Sequence, residues 1–370
     1  NEHKAENHQE LGGYFESVFC PRAEKVSFIK EDEVRTGMYN KPLTEEEIDF
    51  YFPNRHEEEY QEGKLLSFFT DTHEHVVLKE KELLVERPHG HILMSGNNIR
   101  RTDEVMTTTS YMFGVINSQT LVGNTTYNKW LSNTRNPLNV LKSSGQRIYI
   151  EIDGKYHLLT MPSMFEIGFN YTKWFYKLAD DMLIITNYTL TDSTQLKLHV
   201  ESVNKKAYRY MITNQVVMND NEYVLPYHYE VKDNSVTFYA DDQALNAKQY
   251  PELKYRMIFE GTDFSLHDEG ILFENYSPDV FPLTVVELES KSEWTMTLQG
   301  MIDEKGIAET STNAEQEAEK YRKFLERTMR GFKLTLPTQS EDLSKFNDLI
   351  WWYTHNMLVH YSVPHGLEQY

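Results

Sequence analysis

Three histidines, His355, His360 and His365, stand five residues apart near the end of the sequence, beside the adjacent indoles Trp351 and Trp352. Imidazoles at that density invite a metal-site reading, but two ligands on one helix face need a spacing of four. Five residues turn about 500°, so His355 and His360 point about 140° apart. His365 lies beyond Pro364, off any helix. The pairs His73/His75 in "DTHEH" and His89/His91 in "RPHGHI" are spaced by two, which puts both rings on one face of a strand. Neither pair has a third ligand nearby, and no metal is expected. Motifs of the G-x-S-x-G, P-loop and G-x-G-x-x-G types are absent. "SSGQR" is too short for a phosphate cradle and feeds a strand rather than a helix. Acidic residues are abundant, yet none sits in a motif that singles it out for paired-carboxylate chemistry. The residues by themselves assign no catalytic group.

Any site must therefore be held by a scaffold, and composition bounds that scaffold. The chain has 370 residues, 39% of them hydrophobic and 25% charged, enough for a large core. Its 24 tyrosines and 13% aromatic content suit strands and offer flat faces for stacking on sugar rings. A formal net charge of −20 repels phosphate backbones and anionic headgroups, which argues against nucleic-acid and membrane partners. The acidic runs "TEEEIDF" and "NRHEEEY" read as solvated surface. Cys20 is the single cysteine, so no internal disulfide forms, and the expected location is cytoplasmic. No apolar run has the length of a membrane span and no signal peptide leads the sequence. Its first residue, Asn, suggests a trimmed chain.

Residues 1–64 lack clear periodicity and are expected to form irregular surface segments. From Leu65 to about Gly300 the pattern is that of strands. In "RIYIEIDGKYHLL" Ile148, Ile150 and Ile152 alternate with polar neighbours, and Asp153-Gly154 supplies a tight turn. Leu196, Leu198 and Val200 share one face, as do Trp294, Met296 and Leu298. Many strands with almost no helical pattern between them predict a mainly β fold, a large antiparallel sandwich. After Gly300 the period becomes 3.6. "STNAEQEAEKYRKFLERTMRGF" predicts a helix with Ala318, Tyr321, Leu325 and Met329 along one stripe, closed by Gly331. A second helix follows a Thr338/Glu341 capping box, its buried face expected along Leu343, Phe346, Ile350, Tyr353, Met357 and Tyr361.

Five stretches resemble one family. They are "ERPHGHILMSGNN", "TTTSYMFGVINSQ", "SNTRNPLNVLKSSGQRIYIEIDG", "MPSMFEIGFNY" and the terminal "THNMLVHYSVPHGLEQY". Over roughly residues 60–370 the chain resembles the N-terminal half of a glycoside hydrolase family 94 phosphorylase, nearest to its 1,2-β-oligoglucan branch and cellobiose phosphorylase-like. The resemblance implies a galactose-mutarotase-like sandwich over 1–305, with an irregular acidic segment at 1–64. It implies a helical linker over 306–339, and over 340–370 the first helix of a truncated (α/α)6 catalytic barrel. It also implies reversible, inverting phosphorolysis of β-linked gluco-oligosaccharides to glucose 1-phosphate. Inorganic phosphate is then the co-substrate, no cofactor is needed, and one carboxylic acid protonates the leaving oxygen.

The family's acid, an Asp, and its sugar-clamping Arg-Asp segment lie beyond "HGLEQY". On this expectation no catalytic residue is in the chain, which acts as a scaffold and partial substrate rim and is inactive alone. The substrate-binding candidates are Trp351, His365, Glu368, Gln369 and Tyr370. Trp351 and Trp352 face about 100° apart, so one can be core while the other lines a sugar subsite or packs on the sandwich. The residues after the helix suit either substrate contacts or loop packing. Gly114, Gly123 and Gly145 read as bulges or turns. Two rival readings stand beside the phosphorylase: a stand-alone carbohydrate-binding module, and an interaction domain covering a partner with Ile350, Trp351 and Tyr353. The exposed helix predicts self-association, with a homodimer as one form.

Overall fold

Alternation with period two carries the chain from Lys64 to Met301. The computed structural model describes residues 26–27, 38–85, 89–97, 105–112, 114, 120–122, 129–131, 145–218, 227–244, 247–248, 250–271, 283–330 and 341–360. Among the described residues the strands form an eleven-stranded sheet, a six-stranded sheet and a three-stranded sheet. The pairings are antiparallel, apart from Val26–Ser27 beside Lys155–Leu158.

The two larger sheets face each other. Trp174, Leu183, Ile185, Leu196, Leu198, Val200, Trp294, Met296 and Leu298 from one meet Ile148, Ile150, Tyr210, Ile212, Val286 and Leu288 from the other in one buried cluster. The alternation predicts these inward positions, because side chains at i and i+2 share a strand face. The turn at Asp153-Gly154 has φ of 51° and 74°. Positive φ at both central residues is what a type I′ hairpin demands, and Asp-Gly meets that demand without strain at the second position. The three-stranded sheet (Gly90–Met94, Met106–Tyr111, Thr120–Val122) docks on the large sheet's inner side. There the Trp174 indole donates to Tyr111 O (3.1 Å) and the Asn187 amide to Ser110 Oγ (3.1 Å).

Four helices are described: α1 (Glu45–Tyr51), α2 (Lys79–Glu82), α3 (Ala314–Met329) and α4 (Glu341–His360). The irregular reading of 1–64 needs correction over its described part. "TEEEIDF" is α1, opened by a reciprocal capping box of Thr44 and Glu47, and His56–Gln61 is an edge strand of the eleven-stranded sheet. The acidic side chains of α1 sit in its first turn, where the helix dipole favours them. Helix α3 starts as expected at its N-cap Asn313, whose side chain accepts from Gln316 N (2.9 Å), and buries Ala318, Tyr321, Phe324 and Leu325. Gly331, Thr338 and Pro364 lie outside the described residues.

The face assigned to α4 is reversed in the structure. Phe346, Tyr353 and Met357 are 46%, 62% and 66% exposed, while Asp348, Thr354, His355, Leu358 and Val359 are buried. The buried side is largely polar, and it is stable there because the sandwich and α3 supply partners for the Asp348 and His355 polar atoms.

Candidate functional site

The side of the sandwich that receives α3 and α4 gathers most of the histidines that the sequence makes conspicuous. Asp348, on the inward face of α4, is 1% exposed. Its carboxylate accepts from His73 Nδ1 at 2.8 Å and from His56 Nε2 at 3.0 and 2.9 Å. A carboxylate is an acceptor only, so both imidazoles must donate here. Each is thus held in one tautomer and one orientation. His56 begins the edge strand; His73 sits in the turn before His75–Leu78 with φ of 75°, a region that non-glycine residues seldom occupy.

Three contacts over-determine that strained turn. Asp348 binds the His73 ring, Trp352 Nε1 donates to His73 O (2.9 Å), and Trp351 stacks on the ring at 5.0 Å and 19°. Backbone strain persists where its surroundings enforce it. One helix turn further on, His355 is fully buried. Its Nε2 lies 2.9 Å from Ile92 O, and its Nδ1 lies 3.0 Å from the Tyr321 hydroxyl of α3. A carbonyl only accepts, so Nε2 carries the proton and Tyr321 donates to Nδ1. His91 donates through Nε2 to Phe169 O (3.0 Å), its ring 4.7 Å from that of His355. Burial holds His91 near a pKa of about 4. Burial, reinforced by His91, holds His355 well below the ordinary imidazole range. Both rings are neutral at pH 7.

Helix α3 closes the other flank. Met94, Val105 and Phe169 of the sandwich pack with Tyr321, Phe324 and Leu325 of α3 and with Leu358 and Val359 of α4. Arg322 approaches the buried Glu74 carboxylate at 3.9 Å, and Thr70 and Thr72 donate to that carboxylate. Desolvation by burial pushes the Glu74 carboxyl up.

Of the substrate-binding candidates, Trp351 is described. It is half-buried between His73 and Phe169, with centroids 5.0 and 6.0 Å away. His365, Glu368, Gln369 and Tyr370 lie outside the described residues. Sequence reasoning missed His56, Asp348, Phe169 and Tyr321. These four carry no such sign; "DTHEH", "RPHGHI" and "THNM" instead hold their neighbours in the site, His73, His91 and His355. These histidines bond to a helix, a backbone carbonyl or a tyrosine instead of converging on an ion. Among the described residues no three His, Cys, Asp or Glu side chains are grouped so that they could hold a metal. What the arrangement does chemically is mechanical: it fixes one helix on a β scaffold through buried hydrogen bonds, beside a half-buried indole.

The model of the glycoside phosphorylase supersandwich domain matches residues 52–300. A 1,2-β-oligoglucan phosphorylase of Listeria innocua serovar 6a is 35% identical over 350 residues. The alignment covers 95% of this chain and 32% of that protein, so the chain spans about a third of its relative's length. The matched residues include most strands of the two facing sheets, and the two helices of the seam follow them. The chain belongs to the glycoside phosphorylase supersandwich domain family.

Proposed function

We propose that this chain is the sandwich, linker and first barrel helix of an inverting phosphorylase that cleaves β-1,2-linked gluco-oligosaccharides to glucose 1-phosphate. Residues 1–305 serve as the sandwich, 306–339 as the linker and 340–370 as the start of an (α/α)6 barrel. In the reaction a phosphate oxygen attacks the anomeric carbon from the face opposite the glycosidic bond. That bond breaks, and a carboxylic acid protonates the departing oxygen. Phosphate takes the place of the water of an inverting hydrolase, so one carboxylic acid suffices. We assign no such acid to this chain. Its role is to hold the entrance of the barrel, with Trp351, His365, Glu368, Gln369 and Tyr370 on the substrate side.

The observation that carries this reading is the seam on α4. One face is bound to the sandwich by the buried Asp348 carboxylate, the His355 imidazole and the Trp352 indole N–H, while the opposite face presents Phe346, Tyr353 and Met357 to solvent. A helix so divided suits a position between a β scaffold and a second helical layer. The cytoplasm, where phosphate and reduced cysteine coexist, is the compartment that agrees with a single Cys20. The test is phosphorolysis by the longer enzyme that contains this chain, offered β-1,2- and β-1,4-linked glucotrioses with phosphate. Glucose 1-phosphate from the β-1,2 substrate is expected. Turnover of the β-1,4 substrate alone would overturn the linkage, and turnover of neither would overturn the reading.

A further inference from the structure

The outer face of the eleven-stranded sheet carries a row of polar side chains that the seam does not use. Strand register places Glu166 beside Lys173, Lys173 beside Thr186, Thr186 beside His199, His199 beside Thr295, and Thr295 beside Glu260. Six strands thus contribute one side chain each, at intervals of about 4.8 Å. This row floors a groove of about 610 Å³, walled by Tyr51 and Phe52 after α1 on one side and by Thr312 to Glu315 at the start of α3 on the other. The volume is that of a small-ligand site.

The most buried charged group lining it is Lys197. Its side chain is 5% exposed, and its ammonium comes no nearer than 3.9 Å to Glu260 Oε2. That distance is outside hydrogen-bond reach. An ammonium has three N–H donors, and Glu260 takes none of them at hydrogen-bond distance. A fold that keeps such a group on the floor of a groove leaves donors for a ligand to satisfy. His199 adds a ring bonded through Nδ1 to Thr295 (2.9 Å), with Nε2 3.8 Å from Glu293.

The charges around the groove select the ligand. Two lysines, Lys173 and Lys197, face four carboxylates, those of Glu166, Glu201, Glu260 and Glu315, so an anion is disfavoured. A neutral polyhydroxyl ligand is favoured, because each hydroxyl both donates to carboxylates and accepts from ammonium groups. Tyr51 and Phe52 supply apolar faces against which pyranose rings can lie.

We infer that this groove is a second carbohydrate-binding site, outside the barrel, that holds a neutral gluco-oligosaccharide across the sheet with Lys197 as its anchor. The polyhydroxyl class follows from the groove; the β-1,2-glucan identity rests on the proposed function.

The test titrates the 370-residue chain with short linear β-1,2- and β-1,4-gluco-oligosaccharides by calorimetry. It is repeated for Lys197→Met, for His199→Gln and for the distant control Lys305→Met. Binding of the β-1,2 ligand should weaken about tenfold or more in Lys197→Met. It should also weaken in His199→Gln and stay unchanged in Lys305→Met. Thermal melting of the same samples identifies a variant that has lost its fold, and the other groove variant then decides. Binding unaffected by both groove variants, or no oligosaccharide bound at all, would overturn the inference without touching the phosphorylase reading. Preference for the β-1,4 ligand with the same dependence on Lys197 would support the groove and overturn the β-1,2 assignment instead.

Discussion

Asp348 illustrates how a polar residue becomes the keystone of a helix interface. Its carboxylate is buried, and two imidazole N–H groups satisfy it. Replacing it by Ala removes the acceptor of both and leaves the strained His73 turn with one anchor fewer. Asp348→Ala should cost about 2 kcal/mol of stability, and Asp348→Asn less, because an amide oxygen still accepts. Denaturant unfolding followed by tryptophan emission reads this directly, since Trp351 and Trp352 lie over the same turn; an unchanged midpoint would contradict it. The neutral pair His91 and His355 gives a pH signature. Both have folded values depressed below the ordinary imidazole value of about 6.5, so the unfolded chain binds protons first. Stability is therefore unaffected above about pH 6.5 and falls as pH drops toward about 4, each ring contributing about 1.4 kcal/mol per pH unit. His355→Gln should flatten that acid limb even though it lowers stability at pH 7. A limb as steep as that of the unaltered protein would count against the pair.

At the scale of elements, local signals were legible where one residue satisfies another nearby in sequence. The Asn313 cap, the Asp153-Gly154 turn and the strand alternation each translate into structure as expected. The Thr44/Glu47 capping box was equally local but was obscured by its acidic run, and Thr44→Ala should cost about 1 kcal/mol in thermal unfolding. The orientation of α4 was not legible. Its apolar stripe is real, but apolar spacing says only that a face suits burial, and it cannot show that Asp348 and His355 find partners some 260 to 290 residues away. Tyr353→Lys combined with Met357→Lys should leave the melting temperature of this chain nearly unchanged, whereas Leu358→Ala should cost about 2 kcal/mol. Equal losses would mean that α4 packs through its apolar stripe after all.

For the molecule as a whole, the mainly β architecture followed by helices could be read from periodicity, because successive side chains of a strand point to opposite faces while a helix repeats every 3.6 residues. The candidate site could be read only in part. Trp351 was found by residue type, but the groups that fix it came from the edge strand, the His73 turn, the "MPSMFEIGFNY" stretch and α3, which no sequence spacing brings together. The central claim is that this chain is the scaffold half of a phosphorylase and has no catalytic acid of its own. The most direct measurement is phosphate-dependent release of glucose 1-phosphate from a β-1,2-glucotriose, by the chain alone and by the chain mixed with a separately produced barrel half. The account predicts no release from the chain alone and release from the mixture. Release by the chain alone would contradict it, since a proton donor would then have to lie within residues 1–370.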